Sequence, residues 1–171
     1  MTDFAADLLE YRARKDDFFR GPHSPLKEGR AAFSGLAYFA PDPAHRVVAE
    51  VTPGNGEVVE LATTTGQPRH FTRFGTASFD LPEGPATLTL FAAFGDDSPS
   101  QVFVPFRDAT SGTETYETGR YLEGQLHDGL VILDFNLAYF PYCAYGDGWT
   151  CPVPPAENRL AVPVRAGEKL T

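Results

Sequence analysis

The sequence predicts a mainly β fold: a single antiparallel β-sandwich or barrel-like domain of about eight or nine strands, with one N-terminal α-helix packed on it. Three observations predict this. From residue 33 onward, apolar and polar residues alternate with a period of two. The chain has 16 Gly and 15 Pro, enough for many turns, and 13% aromatics including 14 Phe. Its 171 residues fit one domain, 1–171, with the β-domain over about 31–166. A chain of this size buries roughly 70% of its unfolded surface, so it needs no metal or disulfide merely to fold.

Residues 3–20 read as the helix. Phe4, Leu8, Tyr11, Lys15 and Phe18 recur at steps of three and four, giving one face of apolar side chains and a Lys stem. Thr2 is suited to cap it, and Gly21-Pro22 stops it. Asp3 and Asp7 lie near the positive end of the dipole, and Arg12, Arg14, Lys15 and Arg20 toward the negative end. The expected job of this helix is to cover an open face or end of the sheet.

The first clear strand is Val47–Thr52, followed by a Pro53-Gly54-Asn55-Gly56 turn and a return strand over Val58–Thr63. A segment around His70–Gly75 precedes a strand carrying Ala77, Phe79 and Leu81. After the Pro82–Pro85 turn, Ala86, Leu88, Leu90, Ala92 and Phe94 make the clearest strand face. Val102, Val104 and Phe106 make another, where Pro105 implies an edge or bulge. Residues 116–122, 130–136 and Leu160–Val164 complete the expected strands.

Charge and patterning restrict the function. A net charge of −9 argues against nucleic acid, which needs clustered Lys and Arg. Arg outnumbers Lys 11 to 3, which suits either an Arg-rich codon usage or planar contacts to anions. No apolar run approaches the ~18 residues of a membrane span. The residues after Met1 lack the basic, apolar and small-residue regions of a signal peptide, so the expected compartment is the cytoplasm, with Cys143 and Cys151 mainly reduced.

The informative stretch is 105–159. Arg107 and Asp108 follow an apolar strand, at a strand end where loops build sites; Asp108 and Thr110 equally suit an Asx-type turn. In an extended 116–122 segment, Tyr116, Thr118 and Arg120 share a face, and an inward Arg120 requires a carboxylate or a ligand anion. Asp134 and Asn136, two apart beside Val131, Leu133 and Phe135, either meet solvent or line a polar cavity, where Asp134 would be able to pair with Arg107 or Arg120. Tyr139–Cys151 holds Tyr139, Tyr142, Tyr145, the single Trp and both cysteines. The Gly146-Asp147-Gly148 loop is able to bring the thiols together, paired or merely adjacent; separate inert cysteines remain the alternative. The four His are scattered without ligand spacing, so no metal site and no cofactor are expected. Pro155 starts a helical turn that projects Glu157 and Asn158 toward the cysteine loop. Nucleophile-elbow, phosphate-loop, dinucleotide and zinc-protease signatures do not occur.

Long ordered blocks carry a family likeness. PFRDATSG, TYETGRYL, LDFNLAYFPYCAY, CPVPPAENRL and VPVRAGEK, with RKDDFFRGPHSPL and FSGLAYFAPDPAHRVVA upstream, resemble the domain of unknown function 1684 family of bacteria and archaea, over about residues 11–169. The resemblance implies no activity. It does imply that Arg107, Asp108, Arg120, Asp134, Asn136, Tyr139, Cys143, Tyr145, Glu157 and Asn158 belong to the family pattern. Phe140 departs from it, standing where the family run Tyr-Asn-Pro-Tyr-Cys has Asn.

Two functional readings follow. In the first, the domain binds a small polar or anionic ligand: Arg107 and Arg120 hold the anion, Asp134 and Asn136 orient it, and the Tyr and Trp side chains, among them Tyr121, Tyr139, Tyr142 and Tyr145, form the walls, with Cys143 and Asn158 as further ligand-binding candidates. In the second, the same pocket is that of a hydrolase or lyase, with Asp134 or Glu157 as general base, Asp108 as second carboxylate and Arg120 stabilising negative charge. A third reading makes the polar groups a buried network that only holds the fold.

Overall fold

The computed structural model describes residues 3–171. In chain order the helix and strands are α1 (Phe4–Arg20), β1 (Ala37–Tyr38), β2 (Arg46–Pro53), β3 (Val58–Leu61), β4 (Arg69–Leu81), β5 (Gly84–Ala93), β6 (Gln101–Phe106), β7 (Arg120–His127), β8 (Leu130–Asp134) and β9 (Glu168–Lys169). The strand order β2-β8-β7-β6-β5-β4 returns to β2 through a β2–β4 pairing, so six antiparallel strands close into a barrel. β3 adds to the free half of β4, and β1 and β9 form a separate ribbon. The sequence left sandwich and barrel open; the β2–β4 contact decides for the barrel.

That closure depends on one glycine. β4 pairs with β3 through Arg69–Thr72 and with β2 through Gly75–Ala77, and a bulge between Arg73 and Gly75 separates the two halves. A Cβ on Gly75 would lie 2.4 Å from the Thr52 carbonyl oxygen, so only glycine lets β2 approach here. The segment around His70–Gly75 and the strand of Ala77, Phe79 and Leu81 are therefore one bent strand rather than two.

Alternation decides what fills the barrel. Leu88, Leu90, Val102, Val104, Leu122, Val131 and Leu133 point inward and are essentially inaccessible. Each such side chain contributes roughly 1.5–3 kcal/mol by leaving water. The opposite faces of β4–β7 carry a second aromatic layer, in which Phe103 stacks on Phe71 at 5.4 Å and meets the edge of Tyr121 at 4.8 Å.

Three strand expectations shift. The 130–136 strand stops at Asp134, whose side chain accepts the Asn136 N–H and starts a 3-10 turn over Phe135–Leu137, so Asn136 is not on the strand. The 116–122 strand begins at Arg120 instead, because Gly119 has φ +123 and its N–H closes a turn on the Tyr116 carbonyl. Leu160–Val164 runs beside residues 107–109, with Leu160 N–H donating to the Arg107 carbonyl and Ala109 N–H to the Val162 carbonyl, but forms no regular strand. Pro163 supplies no N–H to extend that pairing.

α1 packs outside the barrel. Asp3 caps it, accepting from Ala5 and Ala6 N–H; Thr2 lies outside the described residues. The buried stripe is Leu8, Arg12 and Phe19, with Lys15 largely covered between them. This is offset from the expected face, and Tyr11 and Phe18 remain partly exposed on its flank. The reason is Arg12, which donates to the carbonyls of Phe39 (2.9 Å) and Asn136 (3.4 Å) and lies 4.3 Å from the Tyr38 ring. No helix of the described residues is long and apolar enough to cross a membrane.

Candidate functional site

The residues singled out in the 105–159 stretch separate into polar clamps inside the molecule and an open cleft outside the barrel wall. Arg120 begins β7 and points inward, 1% exposed. Its guanidinium donates to Asp108 Oδ2 at 3.0 Å and to the carbonyls of Val164 (2.8 Å), Ala166 (2.5 Å) and Glu168 (3.2 Å). Burial pulls the guanidinium below its ordinary pKa, and the Asp108 charge and hydrogen bond oppose that. Asp108 is filled in turn by the N–H and hydroxyl of Thr110, the hydroxyl of Ser111 and the Val164 N–H. Arg120 and Asp108 thus fasten the C-terminal segment to the barrel. Arg107 takes no part in this network and forms no hydrogen bond through its side chain and no ion pair among the described residues.

Two asparagines act as strand substitutes. Asn158 is fully buried: its Oδ1 accepts from Thr89 N–H at 2.7 Å, and its Nδ2 donates to the Thr89 and Pro105 carbonyls at 2.9 Å each. It stands where the β5–β6 ladder, paired only at Phe91–Phe103, has opened. Asn136 repeats the device on Asp42, accepting from its N–H at 2.9 Å and donating to its carbonyl at 2.8 Å. Asp134 ends β8 and accepts from the Asn136 N–H and Nδ2, so it pairs with neither Arg107 nor Arg120.

Glu157 is held by Arg73 and by the Thr89 hydroxyl, the latter at 2.8 Å. Burial alone would raise its carboxyl; the bonds from Arg73 and Thr89 and the Arg73 charge outweigh that and hold it below its ordinary range. Asp108, Asp134 and Glu157 therefore sit in three separate networks rather than around one reacting centre. Tyr145 is likewise internal, donating to Glu168 Oε2 at 2.5 Å. Glu168 also accepts the Phe140 N–H at 2.8 Å, and Lys15 Nζ lies 2.6 Å from its other oxygen.

Cys143 and Cys151 are free thiols, with Cys151 close enough to influence Cys143. They are adjacent and unbonded. Burial is the largest influence on Cys143 and pushes its thiol up, with Cys151 adding to the rise and the Tyr116 hydroxyl opposing it. Cys143 is thus protonated at neutral pH. Its alkylation by iodoacetamide is expected to be slow at pH 7 and to accelerate only as pH rises past the ordinary thiol value of 9.0. Fast alkylation at pH 7, read by mass spectrometry of the Cys151→Ser variant, would show the thiol activated instead.

The cleft lies between α1, β7 and the 139–152 segment and has a volume of about 640 Å³. Tyr121 and Glu123, alternate outward residues of β7, form its floor. Tyr11 and Phe18, the side chains displaced from the buried stripe of α1, form one wall. Tyr142 and Trp149, edge to face at 5.1 Å, form the other. Tyr139 pairs antiparallel with Tyr121 and donates its hydroxyl to Glu123. The Tyr121 hydroxyl is committed to the Pro152 carbonyl at 2.5 Å. Burial raises the Tyr139 hydroxyl, and the Glu123 charge adds to it; the same two causes raise Tyr11.

Of the nine ligand-binding candidates, Tyr121, Tyr139 and Tyr142 line this cleft; Cys143 does not, though its neighbour Cys151 does, and Arg107 stands apart from both the cleft and the networks. Arg120, Asn136, Tyr145 and Asn158 lie in the internal networks. Sequence reasoning missed Glu123, Tyr11 and Phe18 as cleft residues. For Glu123 a signal existed: Tyr121, Glu123 and Gln125 alternate with Leu122, Gly124 and Leu126. Among the described residues no group of three or more His, Cys, Asp or Glu is arranged to hold a metal ion.

Known proteins give the family but no activity. The chain is similar to the solution NMR structure of an uncharacterized protein from Haloarcula marismortui, with 43% identity over 96% of this chain and 93% of that one, and a TM-score of 0.73. A search of curated proteins finds no match. The family model described as "Protein of unknown function (DUF1684)" matches residues 31–169, the whole barrel and all of the 105–159 stretch, and the chain belongs to that family.

Proposed function

We propose that the domain binds a small molecule with an apolar body in the cleft between α1 and β7. The observation that carries this reading is the cleft itself: about 640 Å³, walled by aromatic rings and carrying a carboxylate, Glu123. Concave, mostly apolar sites with a few convergent polar groups are the usual form of small-molecule pockets. Rings are costly to leave around an open space unless something covers them. Binding is favoured over carboxylate catalysis because Asp108, Asp134 and Glu157 are each already engaged by protein donors. The internal polar groups are engaged by the protein's own donors and acceptors, whereas the cleft is open to a ligand.

Native mass spectrometry of the untagged protein, purified without added ligand and then incubated with a small-molecule extract of its expression host, tests this. The native ion is expected to exceed the denatured mass by that of a small molecule. The excess should disappear in a folded Tyr142→Ala/Trp149→Ala variant. No excess mass, or an excess that survives loss of both rings, would sink the cleft as the site.

A further inference from the structure

Building on that reading of the cleft, we infer that its ligand is an organic monocation: an ammonium group on an apolar body, with Glu123 as its counter-ion. The charges around the cleft lead to this. Lys15 reaches it, but its Nζ lies 2.6 Å from the buried Glu168 carboxylate. Arg14 stands at the exposed rim, paired with Glu10 at 3.2 Å. Lys27 does not line the cleft; its Nζ lies 5.1 Å from the Trp149 ring centroid and donates to the Asp147 carbonyl at 3.1 Å. Of the charged groups that line the cleft, Glu123 has no partner of opposite charge among the described residues; its one side-chain bond is from the hydroxyl of Tyr139. That bond occupies one oxygen, holds the carboxylate in a fixed orientation and leaves the other oxygen for a donor.

The walls suit the same charge. Ring faces attract cations through their quadrupole, and more strongly where water is displaced. The rings here already do so with the protein's own ammonium groups, since Lys15 Nζ lies 4.9 Å from the Tyr139 centroid. An anion would instead meet Glu123 and the negative ring faces together. The net charge of −9 adds a long-range field that attracts cations to the molecule.

The test uses the only tryptophan, Trp149, as a reporter in the cleft wall. Phenethylamine, phenethyl alcohol and phenylacetate share one ring and differ in charge. Phenethylamine is expected to change Trp149 emission saturably and to bind roughly tenfold more tightly than the alcohol, the difference one charge-assisted contact makes. Phenylacetate should bind least. Glu123→Gln keeps an acceptor for Tyr139 and is expected to remove the preference, so that amine and alcohol bind the variant equally. Equal binding of all three, tighter binding of phenylacetate, or an amine preference unchanged in Glu123→Gln would overturn the cation and leave the cleft as a site. No response of Trp149 to any of the three would overturn both.

Discussion

Replacing Arg120 with alanine is expected to destabilise the domain by about 3–5 kcal/mol, the cost of breaking a buried ion pair from one side. For a chain of this size that lowers the thermal midpoint by roughly 10 °C. The loss has two parts. Asp108 is left in a solvent-free site without its counter-ion, while the carbonyls of Val164, Ala166 and Glu168 lose their donor. Asp108→Ala should cost a similar amount, because it strands the guanidinium and the Val164 N–H. The double variant Asp108→Leu/Arg120→Met removes both charges and fills the space. It should lose less than the two single losses added together, because neither charge is then left alone. Denaturant unfolding of the four proteins measures all of this. An Arg120→Ala protein within about 0.5 kcal/mol of the parent would mean that the arginine is held ready for something other than the C-terminal segment.

The same pair marks the limit of the sequence. That an inward Arg120 needs a carboxylate or a ligand anion was legible from the cost of burying charge. Which carboxylate was not, because Asp108 and Asp134 are equivalent in type and differ only in where their strands end. Asp134 closes β8 and caps the turn that follows. Asp108 lies just past β6, whose Phe106 is paired with Arg120 itself. Register, which depends on every strand at once, settles the choice.

Strands with a clean alternation, such as Ala86–Ala92 and Val102–Phe106, were readable because their inward face is uniformly apolar; that their outer face is covered as well, with Phe91 fully buried and Phe94 left exposed past the strand end, was not. The barrel closure was not readable, because it rests on a close approach at Gly75 between strands distant in sequence. The helix face was read from its apolar spacing alone. The buried position of Arg12, whose donors satisfy the Phe39 and Asn136 carbonyls, rotates that face by about one residue and leaves Tyr11 and Phe18 to the cleft. The dense polar run at 105–159 was conspicuous, yet residue type does not tell a clamp from a site. Most of that run faces inward and holds backbone. The cleft draws its floor from β7 and one wall from α1, more than 100 residues apart in the chain, so no local pattern announces it.

Asn158 provides the second large effect, and it separates a structural amide from a ligand-binding one. Asn158→Ala is expected to cost about 3–5 kcal/mol, because it leaves the Thr89 N–H and the Thr89 and Pro105 carbonyls buried without partners. Asn158→Asp is the sharper experiment. It preserves size and the acceptor for Thr89 N–H but turns a carboxylate oxygen toward two carbonyl oxygens. At neutral pH it should therefore be at least as destabilising as alanine. The new carboxyl is buried beside like partial charges, so its folded pKa is raised above the unfolded value of about 3.9. The folded state then binds the proton more tightly than the unfolded state. Stability relative to the parent must rise as pH falls through the folded pKa, and the gain is complete below the unfolded one. Once protonated, the carboxyl donates to one of the two carbonyls and recovers part of the lost bonding. Unfolding curves of parent and variant across this range should converge toward acid. Parallel curves, with a constant difference at every pH, would mean that the side chain at 158 reaches solvent and that the opening between β5 and β6 is wet rather than sealed by its amide.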